Sequence, residues 1–322
     1  MKPIALTDAF ISWYAWSLKF GDCDPAVWST NYINSRFEHN SEQRLWFCWL
    51  YGNTYNLPTA WVILNEFPDY ELATVSRITR WNTKNYKQLR YQTDTKWNKG
   101  HLPPMFESYQ SFIGKRLQGE VFKSLYGDNE QSTFDRLWTV LKDNLHKFGR
   151  YSTWFYLQHL KHTASIPCTP TSLMLNDYSG SRSHRNGLCL ALGRKSWVDK
   201  KLTTKQYADL ESAAQEILSE TKRRFPSLSE QVDPFTMETA LCAFKKIFRT
   251  HNGRYLGYYL DRQSEEIKKA EADDWGGIDW NVLWEMRTES LDARLAGKSQ
   301  VDKSQMVVYR PNKPIPRMEW LK

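Results

Sequence analysis

Apolar residues recur along this chain at the three- and four-residue spacing of an α-helix, whereas strict alternation of apolar and polar residues is nearly absent. One face of a helix, for example, would carry the apolar residues Phe134, Leu137, Trp138, Leu141 and Leu145. A strand that buries one face needs a period of two, so the pattern leaves little room for a sheet. The chain is therefore predicted to be mainly α.

Capping and turn residues predict where several helices begin and end. Ser132 and Thr133 are the predicted caps of the helix over 134–145, because their hydroxyls can accept the unpaired N–H groups of a first turn. Proline cannot continue a helix, so Pro226 is predicted to stop a long helix that begins near Thr203. Further helices are predicted at residues 8–19, 41–51, 58–66, 151–160, 234–248 and 255–267.

The pattern favours one helical body over residues 1–295 and an extended tail over 296–322, where Lys, Pro and Ser become frequent. The stretch 126–132 is rich in turn residues and is the predicted boundary if the body has two lobes.

The five cysteines form no CxxC pair and no Cys/His cluster with zinc spacing, so a structural zinc site is not expected. Their odd number, without a secretory signal, favours reduced thiols in a cytosolic setting. No apolar run reaches membrane-spanning length, which predicts a protein with no membrane partner.

Positive charge is concentrated in the segment 80–99. Over the whole chain, 44 Lys and Arg stand against 36 Asp and Glu, and this excess favours a polyanionic partner. In the segment, cations alternate with aromatic rings, and cations can neutralise phosphates while rings stack on unpaired bases. A solvated helix face with long lysine stems is the alternative interpretation. The predicted nucleic-acid-binding residues are Arg80, Trp81, Lys84, Lys87, Arg90 and Trp97.

The segment 176–188, NDYSGSRSHRNGL, holds a single aliphatic residue between two apolar stretches. It is predicted to be a loop anchored at both ends, and such loops often carry function. Its guanidinium groups and hydroxyls could bind a phosphate, although a plain solvated loop would have the same composition. The predicted phosphate-binding residues are Arg182, Arg185, Ser179 and Ser181. The segment lacks the Lys of a Walker A motif, so ATP hydrolysis is not implied.

His184 is the candidate general base, since its ordinary pKa is near neutrality. Asp177 lies close to it in sequence and could orient the ring, and Glu238 is an acid on an otherwise apolar helix. Each has a structural alternative: a histidine that is only hydrogen-bonded, or a glutamate that faces the dipole of a first helical turn.

Four stretches of the chain together resemble the bacteriophage amino acid:DNA transferases. They are LYGNTYNLPTAW with EFPD, FGRYSTWFYLQ, CTPTSLMLNDYSGSRSHRNGL, and METALCAFKK with GRYLGYYLDRQ. These enzymes are grouped with the helical alpha-glutamyl/putrescinyl thymine pyrophosphorylases, which hypermodify thymine in phage DNA. The resemblance extends from about residue 8 to 290, and SGSRSHRNG is its most specific part.

The resemblance implies a body similar to the helical DNA glycosylases and an enzyme that acts on double-stranded DNA. Such an enzyme replaces the phosphate of phosphorylated 5-hydroxymethyluracil with the amine of a free amino acid, for which glycine is the expected donor. It implies a hydroxymethyluracil DNA kinase as functional partner, no required cofactor, and the cytoplasm of an infected bacterium as the setting. Whether a metal assists is left open.

The implied chemistry also assigns roles. His184, with Asp177 or Glu238, would deprotonate the amine; Arg182 and Arg185 would stabilise the departing phosphate. Arg254 would bind the amino acid carboxylate, with Asp261 nearby. The competing classes are a non-catalytic DNA-binding or packaging protein, and a glycosylase or lyase that removes the base.

Overall fold

A computed structural model describes residues 6–37, 41–91, 100–177, 182–247 and 255–301. Within those ranges every regular element is a helix, so the prediction of a mainly α chain is confirmed. The α-helices are α1 (Leu6–Lys19), α2 (Pro25–Ser35), α3 (Ser41–Thr54), α4 (Leu57–Glu66), α5 (Val75–Asn85), α6 (Leu102–Ile113), α7 (Gln118–Lys123), α8 (Glu130–Asn144), α9 (Arg150–Ala164), α10 (Ser183–Ala191), α11 (Thr204–Arg224), α12 (Pro234–Ile247), α13 (Tyr258–Glu271) and α14 (Asn281–Ser290). Among the residues described, no helix has the length and apolar content that a bilayer crossing requires.

Capping chemistry sets the ends of the best-predicted helices. The long helix predicted to begin near Thr203 is α11, and Thr203 caps it by accepting the N–H of Gln206. The predicted start of α8 at residue 134 is four residues late, because Asn129 is the cap and the helix begins at Glu130. The Asn129 side chain accepts the N–H of Ser132 at 2.9 Å, and the Ser132 hydroxyl accepts the N–H of Asn129 in return. Two capping residues therefore lie within one turn, and the earlier one starts the helix.

The helices form two compact units. The first unit comprises Met1–Pro25, Pro170–Asp261 and Gln300–Lys322, and the second comprises Ala26–Thr169 and Arg262–Ser299. Each unit is assembled from segments far apart in the sequence, which local composition does not signal. Residues 126–132, the predicted lobe boundary, lie within the second unit. Residues 302–322 of the predicted tail lie outside the described residues.

The core of the first unit is built on the close packing of α10 against α12. Gly187 makes this possible, because a Cβ atom at that position would overlap the backbone carbonyl of Leu241. Helix α1 packs on the same pair, and the ring of Phe10 meets that of Phe244 edge to face at 5.2 Å. The side chains of α10 and α12 are consequently held at fixed separations.

The core of the second unit holds many of the aromatic residues. Trp46 and Trp49 of α3 stack with ring centroids 5.2 Å apart, and Trp49 also stacks on Tyr109 of α6 at 5.0 Å. The Trp46 indole N–H donates to the carbonyl of Phe67. The large apolar area that these rings bury explains their place in the core without a ligand.

The side chain of Asp22 caps the start of α13 in the first unit. Its buried carboxylate accepts the N–H groups of Gly257, Tyr259 and Leu260 at 2.9 to 3.1 Å. Burial raises the pKa of Asp22 from 3.8 to about 7, although these three donors oppose the shift. The folded chain thus keeps a proton that the unfolded chain has released, so this group makes stability fall as pH rises through that interval.

Replacing Asp22 with asparagine is expected to flatten the pH dependence of stability. The amide keeps an acceptor for the helix but cannot titrate. The free energy of unfolding, measured in urea at about pH 5 and about pH 8, should change less in Asp22→Asn than in the unaltered chain. Asp209→Asn, an exposed change in the same unit, should leave the pH dependence as it is. Equal pH slopes in Asp22→Asn and the unaltered chain would contradict the expectation.

Candidate functional site

The second half of the predicted loop 176–188 is helical. Residues from Ser183 onward belong to α10, and the side chains of His184, Arg185 and Asn186 are almost fully buried. The loop prediction is therefore wrong from Ser183 onward. It rested on the rule that core elements are not built from polar residues, and here each buried polar side chain meets partners from outside the segment.

Arg185 and Asn186 are held by neighbouring segments of the first unit. One terminal nitrogen of Arg185 donates to the Tyr207 hydroxyl at 2.9 Å, and the guanidinium lies over that ring. The Asn186 amide donates to the Asp199 carboxylate at 2.6 Å and accepts the Asp199 N–H at 3.1 Å. These bonds explain why the start of α10 is buried despite its polarity.

The predicted phosphate-binding residues do not share one environment. Arg182 is exposed just before α10, whereas Arg185 is 1% exposed and bound to Tyr207. Ser179 and Ser181 lie outside the described residues. Arg182 can therefore contact an anion that approaches from solvent. Arg185 is buried, so it would act on a bound anion from below the protein surface.

His184 and Glu238 form a buried pair between α10 and α12. The Nδ1 atom of His184 lies 3.4 Å from Oε1 of Glu238, and the two side chains are 2% and 7% exposed. Glu238 lies beyond the first turn of α12, so the structure replaces the first-turn interpretation with this pairing. Of the two acids predicted to orient His184, Glu238 is placed beside it. Asp177 lies in a turn, where its N–H donates to the Met174 carbonyl.

Cys242 completes a cluster with this pair. Glu238 and Cys242 are four residues apart and share one face of α12. The His184 nitrogen, a Glu238 oxygen and the Cys242 sulfur all lie within 4.8 Å of one another. Such a group can move a proton between imidazole and carboxylate, or it can offer three ligands to a metal such as zinc. Sequence spacing did not reveal the cluster because its members come from two helices.

Of the two residues predicted to bind the amino acid, Asp261 lies within the described residues. Arg254 lies outside the described residues. The buried carboxylate of Asp261 accepts the Tyr255 hydroxyl at 2.6 Å and the N–H of Val301 at 2.7 Å. Asp261 therefore joins two parts of the first unit, and its predicted contact with an amino acid stays a prediction.

Helix α5 presents a basic face to a cavity in the second unit. Arg77, Arg80, Trp81 and Lys84 follow the spacing i, i+3, i+4, i+7 and so share one side of the helix. The cavity has a volume of about 1100 Å³. Its charged and aromatic lining residues are Glu66, Phe67, Arg77, Arg80, Trp81, Lys84, Lys87, Asp274 and Trp275. Four predicted residues, Arg80, Trp81, Lys84 and Lys87, are thus brought together at one wall.

The cavity is also lined by the segment 274–278, which the sequence interpretation did not propose as a binding site. The ring of Trp275 lies nearly parallel to that of Trp81, with centroids 6.3 Å apart and an interplanar angle of 20°. Gly276 and Gly277 adopt positive φ, and a Cβ atom on either would meet open space. A tryptophan before two glycines in a polar stretch is the signal that could have identified this segment.

The remaining predicted DNA-binding residues lie elsewhere. Arg90 does not line the cavity, and its NH2 atom reaches both carboxylate oxygens of Asp273 at 2.8 and 2.6 Å. Trp97 lies outside the described residues. Arg77, one turn before Arg80 on the same face, was missed because the interpretation began at Arg80.

The family model described as amino acid:DNA transferase matches residues 25–252, which is most of the chain. The chain belongs to the amino acid:DNA transferase family. The matched range includes α5 and the His184–Glu238–Cys242 cluster, whereas Trp275 lies beyond it.

One curated relative of this family member is a serinyltransferase from Salmonella phage ViI. The two chains are 28% identical over 266 residues, which cover 77% of this chain and 63% of the relative. The chain thus spans less than two thirds of that relative's length. No solved structure matches this chain, so the implied likeness to helical DNA glycosylases stays a prediction.

Proposed function

We propose that the protein transfers an amino acid, through its amine, onto a modified thymine base in DNA. One observation supports this most directly: a chain of the amino acid:DNA transferase family carries a cavity lined by four cations and two parallel tryptophans. Cations attract the phosphate backbone, and indole rings accept bases, so the cavity suits DNA rather than a small neutral ligand.

The target is 5-hydroxymethyluracil that a kinase has phosphorylated. The C–O bond breaks with its electron pair leaving on phosphate, and the amine nitrogen forms a C–N bond to the exocyclic methylene carbon, either in one displacement or after the phosphate has left. Free amino acids carry an ammonium group at neutral pH, so a base must first take a proton. His184, held beside Glu238, is the proposed acceptor, and the exposed Arg182 is the proposed partner of the departing phosphate.

The amine donor is an α-amino acid. Glycine is the donor expected from the family resemblance, and serine is suggested by the name of the phage relative. That relative also supports the proposal that the enzyme works in the cytoplasm of an infected bacterium, where the kinase would supply its substrate.

The deciding experiment is mass spectrometry of nucleosides. DNA carrying phosphorylated 5-hydroxymethyluracil is incubated with the full chain and glycine or serine, digested, and compared with DNA incubated without protein. The expected product has lost phosphate and gained the amino acid. Unchanged nucleosides with every amine would reject the transferase, and release of the free base would instead indicate a glycosylase or lyase.

Reversing charge in the cavity is expected to weaken DNA binding by 10-fold or more. Arg80 and Lys84 are exposed and face the cavity, so the double variant Arg80→Glu, Lys84→Glu places two carboxylates against phosphate. Each lost phosphate contact should also lower the slope of log affinity against log salt concentration by about 1. Affinity for a duplex is measured by fluorescence anisotropy over a range of salt concentrations.

The matched control is the double variant Lys115→Glu, Arg116→Glu. These cations are also exposed and belong to the second unit, but they lie outside the cavity. Both double variants change the net charge of the chain by the same amount. An electrostatic effect of net charge alone would therefore weaken DNA binding equally in the two variants. Equal losses in the two variants would place the DNA away from this cavity.

A further inference from the structure

Trp275 is the aromatic residue best placed to meet a ligand in the cavity of the second unit. It is half-buried, whereas Trp81 beside it is only 9% exposed. The two rings are nearly parallel, with centroids 6.3 Å apart, and both residues line the cavity. Trp81 thus acts as the support and Trp275 as the surface that remains accessible.

The segment that carries Trp275 is anchored on both sides. Before it, Asp273 is bound by both of its carboxylate oxygens to Arg90, and the Gln88 amide donates to the Asp274 carbonyl at 3.4 Å. After it, the Trp61 indole N–H donates to the Asp279 carbonyl at 3.2 Å. These contacts set the position of the ring without using its faces.

The surroundings of Trp275 are those of a nucleotide site. Space is open at Gly276 and Gly277, so a ligand can approach the ring past backbone that carries no side chain. The exposed cations Arg80, Lys84 and Lys87 line the same cavity and can meet phosphates. Bases inside a duplex already stack on both faces, so an indole surface discriminates in favour of a nucleotide that is unpaired.

We propose that Trp275 is a stacking platform for an unpaired nucleobase, so that the cavity receives a nucleotide that has left the duplex. This rests on the proposed function in one respect, that the ligand is DNA. It adds a requirement that family membership does not contain: binding must depend on a base and not on phosphate charge alone. It also gives Arg90 the role of a positioning residue, which acts through Asp273.

The test compares two single strands of equal charge, an oligothymidylate and an abasic oligonucleotide, each of about 12 nucleotides. The full chain should bind the oligothymidylate about 5- to 100-fold more tightly than the abasic strand. Trp275→Ala should lose this difference and keep the salt dependence of binding. Trp275→Phe should recover most of it, since a phenyl ring also stacks.

Trp280→Ala is the matched control, because Trp280 is also half-buried and close in sequence but does not line the cavity. It should bind both strands as the unaltered chain does. The proposal is overturned if the unaltered chain binds the two strands equally, or if Trp275→Ala keeps the preference. Both results are binding measurements, so they are independent of whether nucleoside analysis detects amino acid transfer.

Discussion

Replacing Glu238 with glutamine is expected to lower the rate of amino acid transfer about 100-fold or more, with little effect on DNA affinity. The carboxylate lies 3.4 Å from Nδ1 of His184 in a buried setting, where it favours the imidazolium that forms when the ring accepts a proton. Glutamine has nearly the same shape but no charge. The transfer rate is measured by nucleoside mass spectrometry at saturating amino acid, and DNA affinity is measured separately.

Two further variants separate the possible causes of such a loss. Asp177→Asn tests the other acid predicted to orient His184, and a larger loss there than in Glu238→Gln would assign the orienting role to Asp177. Cys242→Ser tests a metal site: if the cluster moves a proton, this variant should keep most of the activity. An inactive Cys242→Ser chain that has also lost a bound metal, measured by elemental analysis, would make His184 a ligand rather than a base.

Helix prediction from sequence succeeds where residues within one turn determine where a helix begins. It fails where a helix is stabilised by partners distant in the sequence. The start of α11 follows from Thr203 and Gln206, which cap each other within one turn. Helix α2 escapes detection because its buried face includes Ser29, Thr30 and Asn34, which carry no apolar signal. Ser29 is satisfied by the side chain of Gln263, more than two hundred residues later.

The same distinction explains the candidate site. The cations of α5 could be predicted because helical spacing alone places them on one face. The segment 274–278, which carries Trp275, could not be predicted to join them, since nearly two hundred residues separate Trp275 from Trp81. Arg90 belongs to the same basic stretch in sequence, yet it is engaged by Asp273. The polar start of α10 was predicted to be a loop because its partners Tyr207, Asp199 and Glu238 lie in other segments.

Gly187→Ala is expected to reduce the free energy of unfolding by about 1–3 kcal/mol, even though alanine ordinarily favours a helix. The added methyl would overlap the Leu241 carbonyl, which is backbone and cannot rotate away, so α10 and α12 must separate. His184 lies three residues from Gly187, and Glu238 lies three residues from Leu241. The displacement should therefore also lengthen the distance between His184 and Glu238. It should lower the rate of amino acid transfer even at temperatures well below the melting temperature.

The control is Gly193→Asn, at a glycine with positive φ and nothing within 4 Å of an added Cβ atom. Asparagine tolerates this conformation, so the free energy of unfolding should change by less than about 1 kcal/mol. Urea unfolding of both variants, followed by circular dichroism, measures the difference. If Gly187→Ala unfolds at the same urea concentration as the unaltered chain, the interface of α10 and α12 accommodates the added methyl. Close packing of these helices then does not hold His184 against Glu238. If it is destabilised and loses transfer while still binding DNA, the spacing of the two helices sets the geometry of the proposed base.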